Sequence, residues 1–508
     1  MSDTLVKDNP AIRLHPSDNV AVATSRLTPG TRLARENVTV AETIPSGHKI
    51  ATVLIASGSP VRKYGQVIGV ATRDIPPGAH VHVQNLVVSE LREAAGAQHV
   101  WRHNQEPRSF DGYRRKDGRV GVRNYIGVLT SVNCSATVAR HIAEAAKKSG
   151  LLDDFPNIDG IVPITHASGC GMANDGEGFD ILRRTLWGTA ANANFAAVLL
   201  VGLGCETIQI ARLKDDYGLA ESGAFQSFTI QDVGGTRKAI DEGLARLGTM
   251  LPDVNAATRS EVPASEIILG LQCGGSDAWS GVTSNPALGN ASDRLAALGA
   301  TVLLSETPEI YGAEHLLYAR ATSPEVSAKL RARLDWWENY TRINKAEMNN
   351  NPSPGNKAGG LTTILEKSLG AVAKSGTSPL VDVIEYAAPV KERGLNFMDS
   401  PGFDPCSATG QVASGATMIA FTTGRGSAYG CQPSPSIKLS SNSDIYNRMK
   451  DDIDIDCGGI ASGAATVEQK GAEILDYLLA VASGKHSKSE ELGYGGMEFV
   501  PWQIGAVM

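Results

Sequence analysis

The chain of 508 residues lacks several features that would assign it to a common functional class. It has no basic excess: 47 Lys and Arg stand against 54 Asp and Glu, a net charge of −7. General nucleic-acid binders carry a basic patch or stripe, so no nucleic-acid partner is expected. It has no long apolar run. The longest, near Phe195 to Leu203, falls well short of the roughly 20 residues that span a bilayer, so no membrane partner is expected. Met1 to Pro10 is polar and mixed in charge, without the apolar core of a signal peptide. Cysteine is scarce and odd in number, seven in all. That argues against a disulfide framework and for free thiols, metal ligands or small buried residues in the cytoplasm. Aromatics are few, at 6%.

What is present is glycine, 54 residues, in a chain 42% hydrophobic and 20% charged. Such a composition suits a globular protein rich in tight turns. At roughly 150 residues per domain the length predicts about three domains. Residues 11–88 carry a short repeat in which a glycine lies midway between two apolar residues: Leu27-Gly30-Leu33, Ile44-Gly47-Ile50, Ile55-Gly58-Val61 and Ile75-Gly78-Val81. Proline lies just before three of these glycines. Tight turns between short strands predict a small all-β domain. Residues 89–112 are polar and aperiodic and read as a linker. From 113 the texture changes, and the chain divides into a middle domain, 113–260, and a C-terminal domain, 261–508. Strand-length apolar runs at 123–132, 160–166, 195–204, 266–273 and 301–305 alternate with helical patterns such as 135–149 and 236–250. A helical stretch at 323–345 precedes further strands near 380–386, 416–423 and 436–440 and a helix near 467–483. Uniformly apolar strands separated by helices predict α/β architecture with parallel sheets covered on both faces.

The chemistry concentrates where predicted strands end. The first ends in Asn133-Cys134, the second in His166-Ala167-Ser168-Gly169-Cys170, the third in Gly204-Cys205-Glu206, the fourth in Cys273-Gly274-Gly275-Ser276-Asp277 and a fifth in Ser305-Glu306. Ligands of open α/β sheets bind outside the carboxyl ends of strands. Cys134, His166, Cys170, Cys205 and Cys273 are therefore expected to converge on one crevice as metal ligands. One strand-end cysteine is more often packing than function; four are harder to explain so. Thiolate and imidazole suit iron or zinc better than magnesium. Three cysteines also suit an iron–sulfur cluster with one open iron. The Pro- and Gly-rich stretch Asn351 to Gly360 reads as a compact anion-cradling loop, with Asn356 and Lys357 facing the substrate. Arg425, after another strand, offers a bidentate contact to a carboxylate. Ordinary connections and structural salt bridges are the competing readings of both. In the β domain, His48-Lys49 follows a turn, and His80 and His82, two apart, share a face. With His15 they offer a metal or anion site.

At these residues the sequence resembles the altronate dehydratase and galactarate dehydratase family. The resemblance runs through Asp18-Asn19-Val20-Ala21, Gly47-His48-Lys49, Lys63-Tyr64-Gly65, Tyr113-Arg114-Arg115 and Gly121-Val122-Arg123-Asn124. It continues through Gly169-Cys170, Gly202 to Glu206, Cys273 to Asp277, the 351–360 loop and Thr423-Gly424-Arg425-Gly426. It implies a front domain of SAF, or β-clip, type, a middle dimerisation region and a Rossmann-like C-terminal domain, in a homodimer or higher homo-oligomer. It also implies dehydration of a sugar acid to a 2-keto-3-deoxy acid with Fe2+, Mn2+ or another divalent metal. His80-Val81-His82 and Pro308 to Glu314 resemble the altronate branch. Thr130 to Cys134 and Gln411 to Gly415 resemble the galactarate branch. Sulfolactate sulfo-lyases are similar too, with the front module on a separate chain.

An altronate-like hexonate is the expected substrate, with galactarate and a sulfolactate-type C–S lyase as alternatives. Water leaves after loss of the C2 proton, with a metal stabilising the enediolate charge. His48, Lys49, His166 and Lys357 are the expected catalytic groups, and Asn356, Lys357, Arg425, Ser276 and Asp277 the expected substrate contacts. A sugar-acid binding module without chemistry and a nicotinamide-dependent oxidoreductase are the rivals. The latter rests on Gly202-Leu203-Gly204, which lacks the third glycine of the dinucleotide fingerprint.

Overall fold

The computed structural model describes residues 10–88 and 105–505. Its first part is all-β. Four antiparallel strands in the order Ala11–Ile12, Val20–Ala23, Lys49–Ala51 and His80–Val81 face a three-stranded set, Pro60–Lys63, Gln66–Ala71 and Leu86–Val87. The glycine repeat builds this core. Its apolar members Leu27, Leu33, Ile44, Ile50, Ile55, Val61, Ile75 and Val81 are all buried. Leu27 bridges Ile44, and Ile55 bridges Ile75. The four repeat glycines all have positive φ, between 75° and 88°, a conformation that costs other residues energy.

Most of the stretch read as a linker, 89–104, lies outside the described residues. Its end departs from that reading. Ser109–Arg114 is a strand, paired antiparallel with Ser260–Pro263. The two segments that bracket the middle domain thus close it with a small sheet.

The middle domain holds four parallel strands: β1 (Tyr125–Thr130), β2 (Gly160–Ile164), β3 (Phe195–Gly202) and β4 (Phe225–Thr229), in the order β2-β1-β3-β4. Helices Ala136–Lys148, Glu177–Ala190 and Thr236–Asn255 cover it. The C-terminal domain holds seven: β5 (Ile268–Cys273), β6 (Thr301–Ser305), β7 (Leu380–Ile384), β8 (Gly394–Met398), β9 (Met418–Thr423), β10 (Ser436–Ser440) and β11 (Ile455–Asp456). All run parallel in the order β7-β8-β6-β5-β9-β10-β11. β6, β9 and β10 are buried along their whole length, as strands covered on both faces must be. The chain departs in opposite directions from β5 and β9, so a topological switch point lies between them. Such a point opens a crevice at the carboxyl ends. Among the described residues, no helix is long and apolar enough to cross a membrane.

Candidate active site at a domain junction

The turn after β5, Gly274 to Asp277, and the turn after β9, Gly424 to Arg425, meet at that switch point. Arg425 N–H donates to Gly275 O at 2.9 Å. The stretch read as a loop over 351–360 contains a helical turn, Pro354–Ala358. A capping box starts it: Asn356 N–H donates to Ser353 Oγ, while Asn356 Oδ1 accepts from Ser353 N–H. Asn356 Nδ2 donates to Ser276 O at 2.8 Å. Asn356 is therefore a buried brace between this turn and the sheet, where sequence reasoning made it a substrate contact. Asp277 is buried as well. Its carboxylate accepts from Ser280 and Ser441 on one oxygen and from Asn442 on the other. Burial pushes its carboxyl above the usual range, and those bonds oppose the shift. It shapes the crevice wall, as does Ser276, whose carbonyl holds Asn356.

A cleft of about 550 Å³ opens here, within the range of small-molecule sites. Ser46 of the β domain, Asp277, Ala358, Gly359, Arg425 and Arg448 are among its lining residues. Sequence reasoning named Arg425 and missed Arg448, which carries no motif. Lys357 is half-buried on the turn that supplies Ala358.

The β domain forms one side of the cleft and brings a histidine cluster. His48, His80 and His82 each offer a ring nitrogen, and all three atoms lie within 4.8 Å of one another. His48 Nδ1 is 3.0 Å from His80 Nε2. The other His48 nitrogen, Nε2, faces Ala358 O at 3.4 Å. Donation there leaves Nδ1 with its lone pair toward the cluster, the arrangement usual for a metal-ligating histidine. His82 Nδ1 is buried without a hydrogen-bond partner. Burial lowers the basicity of all three, His80 to about 4 and His82 to about 3. Neutral imidazoles facing one point fit a divalent transition metal. His15 is not in the group; its ring bonds Ser17 and packs against Gly65.

Lys49 has a different surrounding from that expected of an acid–base group. It is fully buried and donates to Gly360 O at 2.8 Å and to both Glu366 oxygens at 3.0 and 2.8 Å. Lys63 reaches Glu366 at 2.9 Å. Burial brings Lys49 down to about 8, with Glu366 opposing. Glu366 is held well below the usual carboxylate range, the two ammonium groups outweighing its burial. With its donors engaged, Lys49 docks the β domain on helix Ile364–Val372.

The next residue on that helix, Lys367, faces a second buried cluster at the end of β5. Lys367 Nζ bonds Glu309 Oε1 at 2.6 Å, Cys273 Sγ lies 3.2 Å from Glu309 Oε2, and Lys374 Nζ is 2.9 Å from Cys273 Sγ. Glu306, in a left-handed conformation, points in with neither oxygen hydrogen-bonded. Burial and Glu309 push Glu306 well above the usual range and Asp404 up to about 6; burial drives Cys273 up to about 12. A thiol and two carboxylates resemble a metal donor set, but two ammonium groups already supply the positive charge. Sequence reasoning named Cys273 and noted Glu306. Glu309, Lys367, Lys374 and Asp404 come from distant segments and carried no signal as a group.

The expected single crevice of cysteines is not found. Cys273 is buried in the seven-stranded sheet, whereas Cys134, Cys170 and Cys205 are exposed at strand ends of the four-stranded one. His166 lies beside these loops, its carbonyl accepting from Asn133 Nδ2 at 3.1 Å, but its ring is engaged elsewhere. It is buried, its Nε2 faces Thr130 O at 3.1 Å, and its Nδ1 accepts from Ser168 N–H. With both nitrogens occupied it offers neither a ligand atom nor a base. Burial lowers it to about 4, the Thr130 bond opposing.

Three family descriptions match the chain: the altronate/galactarate dehydratase SAF domain over 9–89, the second domain of D-galactarate dehydratase/altronate hydrolase over 112–255, and the C-terminal D-galactarate/altronate dehydratase domain over 264–507. The galactarate dehydratase (L-threo-forming) of Escherichia coli K12 is 39% identical over 487 residues, 93% of either chain. The altronate dehydratase of the same organism is 35% identical, covering 94% of this chain and 96% of its own. The (2R)-sulfolactate sulfo-lyase subunit beta of Chromohalobacter salexigens is 33% identical over 77% of this chain and 97% of its own. With all three domains matched in order and such relatives aligned nearly end to end, the chain belongs to the D-galactarate/altronate dehydratase family.

Proposed function

We propose that this protein removes water from a six-carbon sugar acid, an altronate-like hexonate, giving a 2-keto-3-deoxy acid in the cleft between the β domain and the C-terminal domain. The observation that carries the reading is the junction itself: a cluster of three neutral histidines touches Ala358 through His48, and Ala358 lines the cleft that holds Arg425 and Arg448. His48, His80 and His82 hold Fe2+ or, alternatively, Mn2+. A divalent ion bound there supplies Lewis-acid stabilisation to a carboxylate and its neighbouring hydroxyl. Arg425 binds the substrate carboxylate, with its backbone fixed by Gly275. Lys357, one residue from Ala358, carries proton transfer at C2 or to the leaving hydroxyl. Asp277 and Asn356 keep the two turns in register.

Galactarate is the second reading. It carries a carboxylate at each end, and Arg448 gives the cleft a second guanidinium; the 39% identity to a galactarate dehydratase points the same way. Exposed thiols at Cys134, Cys170 and Cys205 support a reducing compartment, the cytoplasm. The resemblance of 113–260 to the family's middle region supports a homodimer.

The test is anaerobic, iron-loaded protein offered altronate, galactarate and sulfolactate, with 2-keto-3-deoxy acid and sulfite assayed. Turnover of a sugar acid, lost together with bound iron in His80→Ala and His82→Ala, is the expected result. Full turnover by those variants, or sulfite as the main product, overturns the reading.

A further inference from the structure

The three exposed cysteines of the middle domain stand apart from the cleft and from every role assigned above. Each follows one of three adjacent parallel strands: Cys134 follows β1, Cys170 follows β2 and Cys205 follows β3. Adjacent strands lie about 4.8 Å apart, so the three loops leave one edge of the sheet side by side. They are also tied to each other next to the thiols. Asn133 N–H donates to Ser168 O at 2.9 Å, and Thr207 N–H donates to Gly169 O at 3.0 Å. Ser131 Oγ donates to Glu206 at 2.6 Å. Gly169, at φ 97°, passes so close to β1 that a Cβ there would lie 2.4 Å from Ser131 O. These bonds hold one loop firmly against the other two, although no disulfide links them.

The thiols are too spread for one small ion. The three sulfurs do not all lie within 4.8 Å of one another. A single tetrahedral ion with bonds of about 2.3 Å holds its sulfurs about 3.8 Å apart. A cubane cluster binds each thiolate through a different iron and so needs them farther apart. The helices after the three loops, Ala136–Lys148, Glu177–Ala190 and Ile210–Tyr217, begin without a side-chain cap.

We propose that Cys134, Cys170 and Cys205 bind a [4Fe–4S] cluster through three of its irons, leaving the fourth without a cysteine ligand. This site is separate from the histidine cluster, and the proposal does not rest on the assignment of that cluster.

The test is anaerobic reconstitution of the full chain with Fe2+ and sulfide, followed by iron and acid-labile sulfide analysis, visible absorption and EPR after reduction. About four sulfides per chain are expected, with about four irons beyond any held by the histidine cluster. Cys134→Ser, Cys170→Ser and Cys205→Ser should each lose most of the sulfide and the visible band, and Cys406→Ser should keep both. His80→Ala should also keep the sulfide, which separates this proposal from the histidine site. X-ray absorption on the unmodified protein should show iron–iron scattering, so the outcome does not depend on the variants folding. Iron or zinc at one per chain without sulfide, a disulfide between two of these cysteines in the anaerobic protein, or unchanged cluster content in the serine variants overturns it.

Discussion

His166 shows how a residue placed by sequence in an active site is given another task by its neighbours. Its imidazole fills a buried position between Thr130 and Ser168, and protonation there must break the contact with Ser168 N–H. Its basicity is lowered from 6.5 to about 4, with burial the main cause. The stabilisation from keeping it neutral is fully present above about pH 6.5. It is lost as pH falls through about 4, because the unfolded chain takes up a proton that the folded one refuses. The shift corresponds to about 3 kcal/mol. His166→Gln should therefore flatten the fall in urea stability between pH 7 and 4, with little effect on turnover at pH 7. An unchanged pH profile, or loss of turnover without loss of stability, would contradict this. Arg425, which lines the cleft, makes the opposite case under the proposed function, where it serves the ligand. A charge-assisted hydrogen bond contributes about 1.5–3 kcal/mol, so Arg425→Ala should raise KM roughly 10- to 100-fold with a smaller change in kcat. Steady-state kinetics on the accepted sugar acid decide it, and an unchanged KM removes Arg425 from the carboxylate site.

The helix Ile364–Val372 couples two of the buried polar clusters. Thr363 caps its first turn through Glu366 N–H, and this fixes Glu366 toward Lys49 and Lys63 and Lys367 toward Glu309. Removing Glu366 leaves two buried ammonium groups without their carboxylate. Breaking a buried ion group in this way costs about 3–5 kcal/mol. Glu366→Ala should lower the thermal midpoint and expose the β domain to proteolysis before the rest of the chain; an unchanged midpoint with no early cleavage would show that docking rests elsewhere. None of this was legible in the sequence. Lys49 and Glu366 are 317 positions apart, and a lone lysine beside a histidine looks like acid–base machinery until its partner is seen. What was legible followed from local rules. The uniformly apolar runs gave β1, β5, β6, β9 and β10 within a few residues. The glycine repeat gave the β domain. β8 (Gly394–Met398) was missed, because its Asn396 breaks the apolar run and is buried with its amide on Glu392 and Gly394 carbonyls.

At the scale of the whole molecule the decisive fact is which strand ends face which domain. Chain order presented four strand ends with cysteine or histidine as one set, but two parallel sheets divide them, and only the pairing of strands reveals the division. The cleft is completed from outside either sheet, by Ser46 of the β domain, and the histidine cluster reaches its wall through the contact of His48 with Ala358. The β domain carries the three histidines and the remainder carries Arg425 and Lys357, so neither should turn over substrate alone. The junction between them is held by the Lys49, Lys63 and Glu366 ion group and by the contact of His48 with Ala358. Apolar packing joins them, since Val61 and Ile68 share one buried cluster with Ile310 and Leu369, and preformed surfaces of this kind rejoin with little backbone change. Two separately expressed chains, 1–90 and 105–508, should each lack dehydratase turnover and recover it on mixing. The apparent affinity should weaken when the 105–508 chain carries Glu366→Gln, since one ion partner is then neutral. Turnover titrated against the added 1–90 chain measures this directly. Full activity of the 105–508 chain alone would move the reaction out of the junction, and would leave the second cluster, at Cys273, Glu306 and Glu309, as the place to look.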